Sequence, residues 1–115
     1  MITFRVFLAA VFLTVAVYTS TTVSLHGLDL FAVFFGDIAK LGWPGQFNLD
    51  FLMFLLMSGL WLAWRHDFSA LGLGLGLLGV FGGSPFLSAY LLAASFSARG
   101  DMRVLLLGKR RAGAI

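Results

Sequence analysis

The sequence predicts an all-α integral membrane protein with three transmembrane helices and one amphipathic helix at the membrane surface. Hydrophobic residues make up 60% of the 115 residues, whereas charged residues make up only 11%. A chain of this composition cannot cover itself with polar side chains, which indicates that a bilayer is its solvent. Three apolar runs, residues 4–24, 47–64 and 70–97, approach or exceed the roughly 20 residues that a membrane-crossing helix needs. We therefore expect one membrane domain, residues 1–115.

The first predicted span covers residues 4–24 and contains one charge, Arg5, at its edge. A signal peptide is the competing interpretation, since it also begins with a short basic start and an apolar run. The length of the run and the absence of an Ala-x-Ala-like site favour the span. Hydroxyl groups in residues 18–22 make one end polar, and they can bond to helix carbonyls or to a neighbouring helix.

Residues 28–41 are too short and too charged to cross a bilayer comfortably. Apolar residues recur there at helical spacing, while Asp29, Asp37 and Lys40 cluster away from most of them. This pattern predicts an amphipathic helix lying at the membrane surface, with a fourth, irregular span as the alternative. The Pro44-Gly45 pair that follows predicts a type II turn.

In the second predicted span, residues 47–64, Asn48 is expected to be the N-cap and Asp50 to lie in the first turn. An intramembrane carboxylate is often a proton or cation site, but a helix N-terminus also favours a negative charge at the membrane edge. We prefer the second interpretation. One helical face of this span offers a candidate ligand or proton site, formed by Asp50, Phe54, Met57, Trp61 and Arg65. It would suit a flat lipophilic molecule such as a quinone or pigment, or it is ordinary helix packing, which we prefer.

The third predicted span, residues 70–97, contains no charged residue and carries a stripe of small residues. At 100° per residue its glycines fall on one face that continues to Tyr90, Ala94 and Ser97; they are Gly72, Gly76, Gly79 and Gly83. A stripe without side chains lets another helix approach closely, either in the same chain or in a second protein. Pro85 predicts a kink near residues 82–85.

Short motifs in the second half of the chain resemble small uncharacterised bacterial three-span membrane proteins of unknown function. The residues that carry the resemblance are Asn48-Leu49-Asp50, Trp61, Trp64-Arg65, Pro85-Phe86-Leu87 and Tyr90-Leu91. The resemblance implies a three-span architecture, and it implies no activity.

The basic residues predict orientation and lipid contact. Asp101 is expected to cap a short helix, residues 102–107, inside a basic tail, residues 99–115. Headgroup contact is expected from Arg103, Lys109, Arg110 and Arg111. Placing this tail in the cytoplasm satisfies the positive-inside tendency, and with three spans it places the N-terminus outside. The predicted location is a cell membrane, the bacterial inner membrane, with the chain multi-pass.

The residue inventory excludes several classes of function. The chain has no cysteine, and no nucleophile–base pair or metal-ligand spacing is evident, so we expect no catalytic residue, no metal site and no cofactor. Membrane lipids, other membrane subunits or a second copy are the expected partners, and nucleic acid is not. The sequence therefore favours an accessory or assembly subunit, or a homo-oligomer formed through the glycine face. The alternative is a small transporter or a binder of lipophilic ligands.

Overall fold

The computed structural model describes residues 1–114, and in that range its regular secondary structure is entirely α-helix, without a strand. Its helices are α1 (Ile2–His26), α2 (Leu30–Ala39), α3 (Trp43–Arg65), α4 (Ala70–Ser97), α5 (Met102–Leu107) and α6 (Lys109–Ala114). Three of these, α1, α3 and α4, are long and apolar enough to be membrane spans, as the sequence predicted. The short α2 confirms a separate helix before the second long one.

Helix α3 begins earlier than the sequence predicted. Gly42 is its N-cap and Pro44 lies in its first turn, where the missing N–H of proline is harmless, so the Pro44-Gly45 pair is helical and forms no turn. Asn48 is consequently not the N-cap, and its side-chain amide instead donates to the carbonyl of Phe34, 3.1 Å away. Gly45 lets α2 lie directly on this first turn, because a Cβ there would be 2.8 Å from the Cα of Ile38.

The glycine face of α4 is covered by α3 of the same chain. A Cβ at Gly76 would lie 2.8 Å from the carbonyl oxygen of Gly59, and one at Gly79 would lie 2.5 Å from Cδ1 of Leu62. Gly72 packs in the same way against His66, and all three α4 glycines are buried. Of the two partners that the sequence left open for this face, the chain itself therefore supplies one, namely α3.

Helix α4 reverses direction at Gly83, where φ is 63° and ψ is −150°. We call residues 70–82 its first arm and residues 84–97 its second arm. Gly72, in the first arm, packs on His66, and the Tyr90 hydroxyl, in the second arm, lies 2.6 Å from the same histidine. In a straight helix, positions 72 and 90 would be separated by about 27 Å along the axis. The predicted kink is therefore confirmed in position, but it is a full reversal.

Glycine is required at the reversal, because the dihedral angles at position 83 are accessible almost only without a Cβ. Pro85 follows in the first turn of the second arm, where it cannot continue the hydrogen bonds of the first arm. The small-residue stripe therefore ends at Gly83. Tyr90 does not join the glycines on α3 but points toward the end of that helix.

Helix α1 runs along the second arm and brings the N-terminus to its end. The Arg5 guanidinium donates to Oγ and to the backbone oxygen of Ser95, at 2.9 and 3.0 Å, and lies 3.9 Å from the ring centroid of Phe96. The Cγ of Met1 is 3.5 Å from the Cβ position at Gly100. The N-terminus and the start of the tail therefore lie at the same end of the bundle, where three straight spans would place them at opposite ends.

We call one end of the bundle the basic end. It holds Met1, the last turn of α3, and helices α5 and α6. Seven of the eight Lys and Arg residues lie there, namely Arg5, Arg65, Arg99, Arg103, Lys109, Arg110 and Arg111. The opposite end, which we call the α2 end, holds Lys40 with Asp29, Asp37 and Asp50. The reversal of α4 thus makes the charge asymmetry stronger than three straight spans would.

The α3–α4 contact predicts opposite effects for two neighbouring glycines. Gly76→Ala places a methyl group against the Gly59 carbonyl and should destabilise the fold by about 1–3 kcal/mol. Gly74→Ala is the matched control, because nothing lies within 4 Å of its Cβ position and alanine has the higher helix propensity. Thermal unfolding in detergent measures both, and equal stability of the two variants would contradict the packing.

Candidate functional site

A polar cluster at the basic end joins the end of α3 to the second arm of α4. The hydroxyl oxygen of Tyr90 accepts from Nη1 of Arg65 at 2.8 Å and lies 2.6 Å from Nε2 of His66. Arg65 can only donate, and its Nη1 also lies 3.5 Å from Nε2 of His66, so we assign this nitrogen as the acceptor of the tyrosine proton. The cluster fastens the returning arm of α4 to the point from which α4 started.

Arg65 also holds the C-terminal segment. Its Nε donates to the carbonyl of Leu105 at 2.7 Å and its Nη2 to that of Val104 at 3.3 Å. Trp61 adds a bond from Nε1 to the carbonyl of Leu106, 3.2 Å away. A six-residue helix such as α5 leaves its last carbonyls without helical partners, and these donors from α3 satisfy them.

Asp67, in the turn between α3 and α4, fastens α6. Its carboxylate pairs with Arg110 and with Arg111, whose Nη2 is 2.8 Å away. Arg111 also donates to the carbonyl of Trp64 at 2.6 Å and lies 4.0 Å over that ring. The hydrogen bond from Arg110 lowers the pKa of Asp67 and raises that of Arg110, but both groups are exposed, so their pairing adds little stability.

His66 is biased toward its neutral form. Burial is the larger cause of its lowered pKa and the positive charge of Arg65 is the next, while Asp67 opposes both. This agrees with the hydrogen bond that the neutral ring accepts from Tyr90.

Two cavities lie beside these residues. The first, which we call the basic pocket, has a volume of about 400 Å³ and is lined by Arg65, His66, Asp67, Ser97, Leu107, Gly108, Lys109, Arg110 and Arg111. The second, which we call the reversal groove, has a volume of about 360 Å³ and is lined by Phe51, Phe54, Leu55, Met57, Ser58, Trp61, Gly83, Ser84 and Leu87. In the groove, the buried Oγ of Ser58 has no hydrogen-bond partner among residues 1–114.

The predicted ligand face of α3 is divided by the structure. Met57 and Trp61 line the reversal groove together with Phe54. Asp50 is exposed outside it, and Arg65 turns away toward Tyr90 and α5. The five residues therefore do not form one site.

The predicted headgroup contacts are divided as well. Arg103 and Lys109 are exposed, as a lipid contact requires, whereas Arg110 and Arg111 pair with Asp67. In the described part of the chain, no three His or Asp side chains are grouped so that they could hold a metal ion.

The sequence did not reveal the contacts among Arg65, Tyr90 and the carbonyls of α5, which join residues 25 to 40 positions apart. The one feature of the sequence that could have indicated these contacts is the length of the two arms of α4. Each arm has fewer residues than the roughly 20 that a crossing needs, and each is bounded by the Gly83 break.

Comparisons of the chain with protein-family models, with curated proteins and with solved structures found no match. The functional argument therefore depends on the geometry of this chain.

The hydroxyl of Tyr90 is predicted to stabilise the basic end. Tyr90→Phe leaves Arg65 and His66 without their shared partner and should cost about 1–3 kcal/mol of unfolding free energy. Tyr18→Phe is the matched control, since Tyr18 is 76% exposed and its loss should change stability by less than about 0.5 kcal/mol. Denaturant unfolding in detergent compares them, and a silent Tyr90→Phe would refute the role of the cluster.

Stability is also predicted to fall on mild acidification. The pKa of His66 lies below 6.5 in the folded chain, so the unfolded chain binds the proton first and gains from it as the pH drops below 6.5. Asp67 does not contribute in this window, because its stabilisation is lost only at and below its ordinary value of 3.8. Melting temperatures of the wild type and of His66→Gln, measured from pH 7.5 downward, should show a shallower slope for the variant, and parallel slopes would exclude the effect.

Proposed function

We propose that the chain is a small multi-pass membrane protein that acts by helix packing, as an accessory or assembly subunit of a larger membrane complex. In this proposal α1 and α3 cross the bilayer, since their 25 and 23 residues exceed the length required. The two arms of α4 enter from the basic end and return to it. Irregular backbone such as that at Gly83 is tolerated at membrane depth when protein covers it.

The proposed orientation places the basic end in the cytoplasm. The excess of Lys and Arg at that end supports this, because short segments rich in these residues are retained on the cytoplasmic side. The N-terminus and the tail are then both cytoplasmic, and the α2 end, with three aspartates, faces outward. We also propose that this membrane is the bacterial inner membrane and that the chain is related to small bacterial three-span proteins.

The main observation behind this proposal is the exposure of the half of α1 that lies nearest the α2 end. Residues 17–26 of this helix are all exposed, and Leu8 is the only buried residue that α1 contains. A helix that crosses the bilayer with half its length uncovered has a surface available for a partner. The glycine face is already used within the chain, so this half of α1 is the better candidate for assembly.

Hydroxyl groups on one face of this half of α1 support a protein partner. They recur at i, i+4, i+7 and i+8, in Thr14, Tyr18, Thr21 and Thr22. Thr21 and Thr22 donate to carbonyls one turn back, at 2.9 Å each, which leaves their oxygen lone pairs available to a neighbouring helix. Interhelical hydrogen bonds of this kind stabilise membrane helix pairs. The proposed partner is a helix of another membrane protein.

The reversal groove favours a second candidate, a binder of a lipophilic ligand. Aromatic side chains and Met57 line it, and the hydroxyl of Ser58 could donate to a carbonyl of such a ligand. Asp50 takes no part, because it does not line the groove. Neither candidate requires catalysis.

The first test combines native mass and absorption spectrum for the tagged protein extracted in mild detergent. Co-migration with a larger particle is expected, and Thr21→Trp should release the chain from it by blocking close approach at the hydroxyl face. Ser20→Trp is the matched control, because Ser20 is also exposed and lies on the opposite side of α1 from these hydroxyl groups.

A small, single-component particle would contradict the assembly role. If that particle also absorbs like a quinone or pigment, the groove becomes the functional site. A particle of several identical chains that dissociates in Thr21→Trp would identify the partner as a second copy.

A further inference from the structure

The basic pocket concentrates positive charge in one concave surface. Four of its lining side chains are cationic, Arg65, Lys109, Arg110 and Arg111, whereas Asp67 is its one carboxylate. The α3–α4 turn forms one wall and the C-terminal segment the other. The charges are therefore held around a cavity of about 400 Å³, which is within the size range of small-ligand sites.

The negative charge within the pocket does not cancel the positive charge. Arg110 and Arg111 share a single carboxylate, and the guanidinium of Arg65 is bonded to neutral oxygens of Tyr90 and Leu105. Lys109 is exposed and forms no ion pair with the part of the chain that the structure describes. His66 adds no compensating charge. An anion would supply what the arrangement lacks.

We propose that the basic pocket is a binding site for a phosphate group. Arginine and lysine are the side chains that proteins use for this anion, arginine through its planar fork and lysine as a mobile point charge. Two sources share the chemistry, the headgroup of an anionic phospholipid and a soluble phosphate. The neighbouring Trp61 and Trp64 are residues that membrane proteins place at headgroup level, which brings the first source within reach.

The proposal differs from a general attraction of a basic surface for anionic lipid. A general attraction would depend on every cation of the basic end, including Arg103, which is exposed and does not line the pocket. A built site depends on Lys109 more than on Arg103. These two residues provide a matched pair of variants that remove one charge each, and both side chains are exposed, so neither substitution disturbs packing.

The experiment measures binding to the intact chain in neutral detergent. Native mass spectrometry with added phosphatidylglycerol or phosphatidylcholine tests the lipid source, and calorimetric titration of lipid-free protein with inorganic phosphate tests the soluble source. We expect phosphatidylglycerol to be retained in preference to phosphatidylcholine. Lys109→Gln should weaken its retention about fivefold, and Arg103→Gln should weaken it less than about twofold.

Each outcome decides the proposal. Saturable binding of either probe that falls in Lys109→Gln but not in Arg103→Gln supports the pocket, and the probe that binds identifies the source. Equal losses in the two variants, or retention of phosphatidylcholine as strong as that of phosphatidylglycerol, would overturn it. Circular dichroism of both variants confirms that they remain folded, and the result is independent of any subunit that α1 contacts.

Discussion

The reversal of α4 at Gly83 determines the position of every other functional element. One residue at a positive φ sends the second arm back toward the start of the first, and this return brings Tyr90 to Arg65 and His66. The same return delivers α5 and α6 to the end of α3 and seats α1 on the second arm. Without it, the C-terminal segment would emerge beside α2, and neither the basic pocket nor the reversal groove would exist.

Two kinds of contact hold the reversed helix in place, and they act at different depths. Backbone packing at Gly59 and Gly76 joins the first arm to α3 over the apolar length of the bundle. Side-chain donors at the basic end, above all Arg65, fasten the second arm and satisfy the carbonyls of α5. The division follows from solvation, because apolar surroundings favour close packing of small residues, whereas long cationic side chains belong near water.

Local patterns predicted what is local in this fold. Apolar runs predicted the three long helices, and Pro85 predicted the position of the break. Asp101 was predicted as the cap of α5, and its side chain accepts from the backbone N–H of Arg103. The direction of the chain after the break could not be predicted, because a kink and a reversal require the same residues. Contacts between distant residues, such as Arg5 with Ser95, depend on that direction and were missed for the same reason.

The prediction of Asn48 as the N-cap was wrong, because Gly42 and Pro44 allow α3 to begin earlier. Packing against α2, which includes the bond from Asn48 to Phe34, stabilises this earlier start. The glycine stripe was read correctly as a close-packing face. Its partner was left open between the chain's own helices and a second protein, because three straight spans offer few internal partners, and in the structure α3 of the same chain covers it.

The position of the N-terminus and the tail at one end of the bundle has a consequence for biosynthesis. In the proposed membrane arrangement, only the chain between α1 and α3, residues 27–42, has to be translocated, and it carries a single lysine, Lys40, against two aspartates. Helix α4 requires no translocation of polar chain, since in this arrangement both of its ends stay on the cytoplasmic side. Insertion therefore reduces to one helical hairpin, and the rest of the protein folds onto it from one side.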